Sequence, residues 1–436
     1  MMNESRRMFL NHLGSIAGGV MLTGVFYNSC VAKQIAAAAS QIDHLTPAAA
    51  AEQEDFWFQV QQAFSTTRGI INLNNGGVSP QPRIVQEALV RYNEFSNEAP
   101  AHTMWNVLGP RRETIRSLLA ELSGASAEEI AIVRNTTEAL ETVIFGLDLK
   151  RGDEVLVTDQ EYPSMMRAWR QRQKRDGIAI KTVSIPTPPA HLSQITEALE
   201  KGITSKTRII MISHIIYLTG QITPVREICD MAHAHGIEVI VDAAHSFAHL
   251  DYKIPELHCD YFGASLHKWL CAPFGTGILW VKKEKIEKIW PLFAPEDPNS
   301  SDIRKFEALG TRSFPTELAI AEAIHFHNGI GAKRKEERLR FLKNYWAERV
   351  NKFPTVKMIT SLQREQSCGL GNFAIEGLDP GKICDHLFAK YKIYTTPIVH
   401  EQFRGVRVTP HVYTRLDELD AFIAAVEKIA KEGIPG

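Results

Sequence analysis

The sequence predicts an α/β fold built around a mainly parallel sheet. Short, continuous runs of Ile and Val recur between residues 110 and 285, and segments with helical periodicity separate them. Strands that are buried on both faces have this composition, whereas half-exposed antiparallel strands alternate apolar and polar residues. From residue 326 onward, long helices dominate and strands become few. That change predicts a second, smaller α+β domain at the C-terminal end.

The elements of both domains follow in order along the chain. The strands predicted in the larger domain are EIAIVRN, DEVLVTD, RIIMISHII, EVIVDAAH, CDYFGAS and GTGILWVKK, and its helices include TTEALETVIFGL and PVREICDMAHAHG. The smaller domain is predicted to contain the helices RKEERLRFLKNYWAERV, DPGKICDHLFAKY and RLDELDAFIAAVEKIA and the strand GNFAIEG. We therefore place the large domain at 86–325 and the small domain at 326–436, and expect 41–85 to pack on the small domain.

Composition excludes several classes of protein. The 436 residues include 49 Lys and Arg and 50 Asp and Glu, which leaves a formal net charge of -1. No basic block interleaves with aromatic residues, as a nucleic-acid groove would require. None of the six cysteines has the C-x-x-C spacing of a zinc site or redox pair. The sequence does not decide whether two of them form a disulfide. We expect a small-molecule partner and neither a nucleic acid nor a metal.

The N-terminal residues resemble a twin-arginine export signal. Arg6 and Arg7 precede an uncharged stretch at 13–32, and small residues follow at 36–40. Residues 1–40 are therefore predicted to direct the folded protein through the twin-arginine machinery to the periplasm or another extracytoplasmic space. An ordinary amphipathic helix is one alternative reading, and lipid attachment at Cys30 is a weaker one.

Polar side chains cluster where the predicted strands of the large domain end. In open α/β sheets, ligands bind beyond the carboxyl ends of the strands, so these residues are candidates for a site. They are Asn135, Thr136, Thr137, Glu161, Tyr162, Asp242, His245, Ser265, His267 and Lys268. The glycine-rich motifs of dinucleotide sites and P-loops do not accompany them.

Part of this set is suited to a phosphate group. Thr136 and Thr137 begin a predicted helix, where the helix dipole and free N–H groups favour an anion. Ser265 and His267 offer further hydrogen-bond donors from a neighbouring strand end. Taken singly, the threonines are ordinary helix caps, but the set together predicts an anion site.

The remaining residues complete the description of one cofactor. Asp242 follows a buried Ile and Val strand, and a buried carboxylate there is costly unless a cation such as a protonated pyridine nitrogen pairs with it. An amine such as that of Lys268, held in a low-dielectric site, loses its proton more readily and can form a Schiff base. Phosphate, pyridinium and aldehyde together describe pyridoxal 5'-phosphate.

The motifs that carry these residues resemble a known family. The stretches VDAAHS, GASLHKWL and GTGILWVKK look like the cofactor region of the class V aminotransferases, which include cysteine desulfurases and isopenicillin N epimerase-like proteins. The resemblance extends from INLNNGGVSPQP to VRVTPHVYTRLDELDAF and is strongest to the epimerase-like branch. It implies pyridoxal phosphate fold type I, with a mainly parallel seven-stranded sheet in the large domain.

The resemblance also implies roles for residues around the cofactor. Lys268 would form the Schiff base and act as general acid and base, and Asp242 would pair with the pyridine nitrogen. His245 would lie near the phenolic oxygen, and Tyr162 would stack on the ring. The residues that would hold the phosphate are Thr136, Thr137, Ser265 and His267.

Substrate and subunit contacts are implied in the same way. Arg407 matches the arginine that binds the substrate carboxylate, and Asn75 and Tyr217 would lie beside the substrate. Gly310 and Thr311 match a segment that reaches the phosphate of a neighbouring subunit. The resemblance therefore implies a homodimer with shared sites.

One departure from the family limits the reaction. Cysteine desulfurases carry a nucleophilic cysteine shortly before the carboxylate-binding arginine, but the corresponding stretch KIYTTPIVHEQFRG contains none. We therefore predict an amino-acid-transforming enzyme, with transamination through a Lys268 Schiff base as the first expectation. Epimerisation and β-elimination by a C–S lyase are the alternatives. An exported, non-catalytic binding protein on the same fold is the alternative from another class.

Overall fold

The computed structural model describes residues 30–434. The helices are α1 (Cys30–Gln41), α2 (Pro47–Ala51), α3 (Glu54–Gln61), α4 (Arg83–Glu98), α5 (Pro100–His102), α6 (Gly109–Ser123), α7 (Thr136–Gly146), α8 (Pro163–Asp176), α9 (Ser193–Gly202), α10 (Val225–Ala234), α11 (Phe314–Leu318), α12 (Ile320–Ile330), α13 (Ala332–Val350), α14 (Pro380–Tyr391) and α15 (Leu416–Glu432). The strands are β1 (Ile71–Asn72), β2 (Ile130–Val133), β3 (Glu154–Thr158), β4 (Ala179–Val183), β5 (Thr207–Ser213), β6 (Glu238–Asp242), β7 (Tyr261–Ser265), β8 (Gly277–Val281), β9 (Val356–Met358), β10 (Gly371–Ile375), β11 (Ile393–Tyr394), β12 (Thr396–Val399) and β13 (Arg404–Val408).

A seven-stranded sheet forms the centre of the large domain, in the order β2-β8-β7-β6-β5-β3-β4. Strands β3 to β7 pair in parallel, whereas β8 runs antiparallel to both of its neighbours. The predicted mainly parallel α/β fold is therefore confirmed. The sequence did not assign β4, an edge strand whose side chains are mostly half-exposed and include a lysine. Such a strand lacks the continuous apolar run that identifies a buried one.

Alternating side chains of each strand enter two separate cores. Ile210 and Ile212 pack on one face of the sheet with α6, α9 and α10, and Ile209 and Met211 pack on the other face with α7 and α8. This alternation explains why the central strands are apolar throughout, because both faces are covered. Gly263 in β7 allows α7 to lie close, since a Cβ there would fall 2.7 Å from a side-chain carbon of Leu140.

The C-terminal part contains an antiparallel four-stranded sheet in the order β12-β13-β10-β9. A separate apolar core joins this sheet to α13, α14 and α15. The N-terminal strand β1 pairs in parallel with β11, so the chain near Ile71 is held against this C-terminal part. That pairing brings the loop after β1 towards β13.

The predicted export segment is described only in its last part. Arg6, Arg7 and the rest of residues 1–29 lie outside the described residues. In α1, Ile35 and Ala39 are buried and belong to the same apolar cluster as residues of α3 and α12. Cleavage after residue 40 would remove these contacts. No helix within 30–434 has the length and apolar character to cross a membrane.

Candidate active site

A cavity of about 240 Å³ opens at the carboxyl ends of the central strands. The turns after β2, β3, β6 and β7 contribute to it, and β13 closes one side. The predicted residues that line it are Asn135, Thr136, Thr137, Tyr162, Tyr217, Asp242, His245, Ser265, His267, Lys268 and Arg407. Further lining residues that the sequence did not assign to the site are Gly76, Gly77, Met165, Ser213, Ile215 and Ala244. The fold therefore gathers the predicted strand-end residues into one place.

One end of the cavity is the N-terminus of α7. The Asn135 side chain caps this helix by accepting a hydrogen bond from the Glu138 N–H at 2.9 Å. The Thr136 N–H donates to Ser265 Oγ at 3.0 Å, and the two hydroxyl oxygens are 2.7 Å apart. A helix N-terminus with hydroxyls at this end of the cavity is suited to a phosphate group.

Asp242 places a buried carboxylate at the floor of the cavity. It is 4% exposed, and the Ala244 N–H donates to its Oδ1 at 2.9 Å. Burial raises the pKa of this carboxyl, while the Ala244 hydrogen bond and the charge of Lys268 oppose that rise. Among the described residues, no side chain forms an ion pair with Asp242 within 4 Å. A cation such as a protonated pyridine nitrogen would supply the missing partner.

Lys268 presents an amine that is easily deprotonated. Burial lowers its pKa to about 8, and Arg407 adds to this effect, whereas Asp242 opposes it. Its Nζ lies 3.4 Å from Nε2 of His245, a buried ring whose pKa burial lowers well below the ordinary value. The His245 Nδ1 is buried without a hydrogen-bond partner. A buried amine with a lowered pKa can attack an aldehyde. The unpartnered His245 Nδ1 beside it can accept or donate a further hydrogen bond.

The segment around the lysine is anchored from behind. The Nδ1 atom of His249 is 2.7 Å from the His245 carbonyl, and its Nε2 accepts a hydrogen bond from the Gly369 N–H at 2.8 Å. The ring of Trp269 stacks between His249 and His411, with centroid distances of 3.7 and 5.4 Å. The residue after the lysine is therefore fixed by packing, which limits the motion of the amine.

Arg407 on β13 forms the opposite wall. Its Nη1 donates to the Tyr217 carbonyl at 3.0 Å, and its Nη2 donates to Asn74 Oδ1 at 2.9 Å. Burial lowers its pKa to about 10, and its Nε is buried without a partner. The Tyr162 and Tyr217 rings meet edge to face at 5.1 Å beside it. An oriented guanidinium with an unused N–H is suited to a carboxylate.

The structure places Asn75 away from the cavity lining, and its predicted contact with the substrate stays a prediction. This residue is fully buried and does not line the cavity, because its amide donates to the Asn72 and Thr409 carbonyls and its Oδ1 accepts from Tyr413. The preceding residue, Asn74, contacts Arg407 instead. Asn75 begins a turn, and the hydrogen bonds of its amide to the Asn72 and Thr409 carbonyls hold it away from the cavity.

The segment with Gly310 and Thr311 lies outside the cavity. Both residues are exposed. The prediction that they reach the site of a neighbouring subunit stays a prediction.

A hairpin tip joins the C-terminal sheet to the large domain. Gln402 donates to Asp159 Oδ2 at 2.7 Å, and the His400 ring Nε2 lies 3.0 Å from the Asp159 carbonyl. This hairpin connects β12 to β13 and so carries Arg407. The contacts tie the segment before β13 to the residue that follows β3.

Comparison with known proteins agrees with this geometry. The family model for aminotransferase class-V matches residues 71–396. Isopenicillin N epimerase of Streptomyces clavuligerus is 28% identical over 83% of this chain and 96% of its own. The epimerase of Amycolatopsis lactamdurans is 27% identical over 86% and 99% of the two chains. A probable cysteine desulfurase of Halalkalibacterium halodurans is 30% identical over 73% and 81%.

Solved structures confirm the fold type. A C-DES mutant with glycine covalently linked to its PLP cofactor superposes with a TM-score of 0.77 at 22% identity, over 84% of this chain and 98% of that one. The apo cysteine desulfurase of Thermococcus onnurineus gives 0.75 at 24% identity, over 87% and 98%. The α/β architecture is thus pyridoxal phosphate fold type I, and by the match over 71–396 the chain belongs to the aminotransferase class V family.

Proposed function

We propose that this protein removes the α-proton of an amino acid and that transamination is the outcome. The observation that carries the proposal is the buried Lys268 amine, which shares one cavity with Asp242 and Arg407. The protein is an enzyme of the pyridoxal phosphate-dependent class V family, and its cofactor is pyridoxal 5'-phosphate, as the sequence predicted. When bound, the cofactor supplies an electron-accepting ring and an aldehyde.

Different residues around the cavity would hold the phosphate, the ring nitrogen and the ring face of this cofactor. The N-terminus of α7, with the Thr136 and Ser265 hydroxyls, would hold the phosphate. The Asp242 carboxylate would form an ion pair with the protonated ring nitrogen and so keep that nitrogen both charged and in place. Tyr162, which is 41% exposed at the cavity mouth, would pack on the ring face. Each of these contacts binds or orients and none transfers a proton.

Arg407 and Lys268 would act on the substrate. The Arg407 guanidinium would bind the substrate carboxylate, which orients the α-carbon in the cavity. With a pKa of about 8, the Lys268 amine can accept a proton from that carbon near neutral pH and return it elsewhere. Because one lysine can serve both steps, proton transfer by Lys268 alone is sufficient for transamination.

Epimerisation is the second candidate. It is favoured by the similarity to two isopenicillin N epimerases over 96% and 99% of their lengths. In that reaction, the proton returns to the opposite face of the α-carbon, and the Tyr162 and Tyr217 hydroxyls are two groups at the cavity that could deliver it. The usual desulfurase route to a persulfide is disfavoured, because the stretch KIYTTPIVHEQFRG contains no cysteine. A C–S lyase acting by β-elimination stays the third candidate.

A panel of L- and D-amino acids in deuterated buffer would distinguish these reactions. We expect conversion of the bound cofactor to its amine form together with release of a keto acid. Racemised, α-deuterated amino acid without a keto acid would instead identify an epimerase, and pyruvate with a thiol or sulfide would identify a lyase. The Lys268→Ala protein is the control. If wild-type protein exchanges no α-proton with any amino acid, the proposed reaction is wrong and the alternative of a non-catalytic binding protein is supported.

We propose further that the protein is exported in the folded state with its cofactor bound. Support comes from Arg6 and Arg7 before the uncharged stretch at 13–32. Changing both arginines to lysine should retain the full-length protein in the cytoplasm, as cell fractionation would show. Arg167→Lys with Arg170→Lys, two exposed positions on α8, is the matched control and should leave the location unchanged. Unaltered export of the Arg6 and Arg7 variant would contradict the proposal.

A further inference from the structure

A second buried carboxyl lies beneath the cavity floor, and the chemistry described above does not use it. Glu161, three residues beyond the end of β3, is 5% exposed. Its Oε1 accepts a hydrogen bond from the Thr158 hydroxyl at 2.7 Å, and its Oε2 accepts one from the Ser213 hydroxyl at 2.7 Å. No Lys, Arg or His among residues 30–434 forms an ion pair with it within 4 Å. Two hydroxyl groups are thus its side-chain partners.

Ser213 connects this carboxyl to the cavity. It lines the cavity at the end of β5, and the register of β5 with β6 places it directly beside Asp242. The Thr158 hydroxyl also accepts a hydrogen bond from the Gln160 N–H at 3.2 Å, which helps to fix that group. Ser213 therefore lies between Glu161, to which its hydroxyl donates, and the cavity that it lines beside Asp242.

Burial brings the titration of Glu161 close to neutral pH. Burial raises its pKa to about 7, the two hydroxyls lower it, and the neighbouring Asp242 raises it again. Tyr217, after β5, also lies within electrostatic range. The other titratable or charged groups at the cavity are Tyr162, His245, His267, Lys268 and Arg407.

We propose that Glu161 is a positioning residue which acts through the Ser213 hydroxyl to set the protonation of the covalent lysine–cofactor linkage. When Glu161 is ionised, the Ser213 hydroxyl donates to it, and two carboxylates lie at the cavity floor. That negative charge favours the protonated, cationic form of the linkage. When Glu161 takes a proton from solvent, it donates to Ser213 Oγ, and the Ser213 hydrogen turns towards the cavity and Asp242. The inference rests on the proposed lysine chemistry.

The absorbance of the holoprotein, titrated between about pH 6 and 10, tests this inference, because the protonated and neutral linkages absorb at different wavelengths. In Glu161→Gln the negative charge is lost and the shape is kept. We expect the midpoint of the titration to fall by less than about one pH unit, because Asp242 and Arg407 are the charges that act directly on Lys268, whereas Glu161 acts through Ser213. Ser213→Ala should shift the midpoint in the same direction.

The matched control is Glu322→Gln on α12. Glu322 is also buried, at 1% exposure, and burial raises its pKa to about 7, but it does not line the cavity. This variant should titrate like wild type. A Glu161→Gln midpoint that equals the wild-type midpoint overturns the inference. If Glu161→Gln fails to fold, Ser213→Ala replaces it, and a Ser213→Ala midpoint equal to the wild-type midpoint overturns the inference. A wild-type protein without any lysine linkage overturns the proposed function and this inference together.

Discussion

Replacing Lys268 by alanine should abolish covalent attachment of the cofactor and reduce turnover by at least about 10³-fold, because both the nucleophile and the general base are lost. Absorbance of the purified protein and borohydride reduction followed by peptide mass analysis measure the attachment. Amino acid turnover is measured on the same preparation. We expect the fold to survive, since removal of the side chain also removes a buried amine that lacks an ion-pair partner.

Lys343 provides the control for this experiment. It is also buried, at 1% exposure, and burial lowers its pKa to about 8, but its Nζ donates to Ser367 Oγ in the C-terminal part of the chain. Lys343→Met should therefore keep the lysine–cofactor adduct. A borohydride-stable adduct that persists in folded Lys268→Ala would show that another lysine holds the cofactor.

Replacing Arg407 by alanine should reduce kcat/KM by on the order of 10²-fold to 10³-fold, because the substrate carboxylate would lose a buried, charge-assisted partner. The loss should be specific to the carboxylate. Amines that lack this group should react with wild type and variant at similar rates. Steady-state kinetics with an amino acid and its decarboxylated amine measure both effects.

Arg404 is the matched control for this second variant. It lies on the same strand, β13, but its side chain is exposed and does not line the cavity. Arg404→Ala should keep kcat/KM near the wild-type value. Equal losses for the amino acid and the amine in Arg407→Ala would assign Arg407 to the support of Tyr217 and Asn74 rather than to substrate binding.

Much of the site could be predicted because of where chemistry occurs in open α/β sheets. Asp242, Ser265 and Lys268 follow apolar strands in the sequence, and parallel strands bring their carboxyl ends to one edge. The residue types then indicated a phosphate, a cationic ring and an aldehyde. The resemblance to class V aminotransferases added roles for Tyr162 and Arg407, which lie on elements whose proximity no local pattern reveals.

Other features of the site depend on pairings between distant segments. Thr158 and Glu161 meet Ser213 because β3 lies beside β5, although β4 follows β3 in the chain. Whether Asn74 or Asn75 contacts Arg407 depends on how the loop after β1 packs against Thr409. Neither the hydrogen bonds of Glu161 nor this choice could be predicted from residue order.

By itself, the sequence determined the α/β class, the order of the main strands and helices, and the set of chemical groups available at the strand ends. These follow from local periodicity and residue type. Only the tertiary structure decided which groups share one cavity and how strongly each proton is held. The reason is physical, because burial lowers the pKa of Lys268 to about 8 and raises that of Glu161 to about 7. Burial of this kind exists only after the strands, the helices and the C-terminal sheet have packed together.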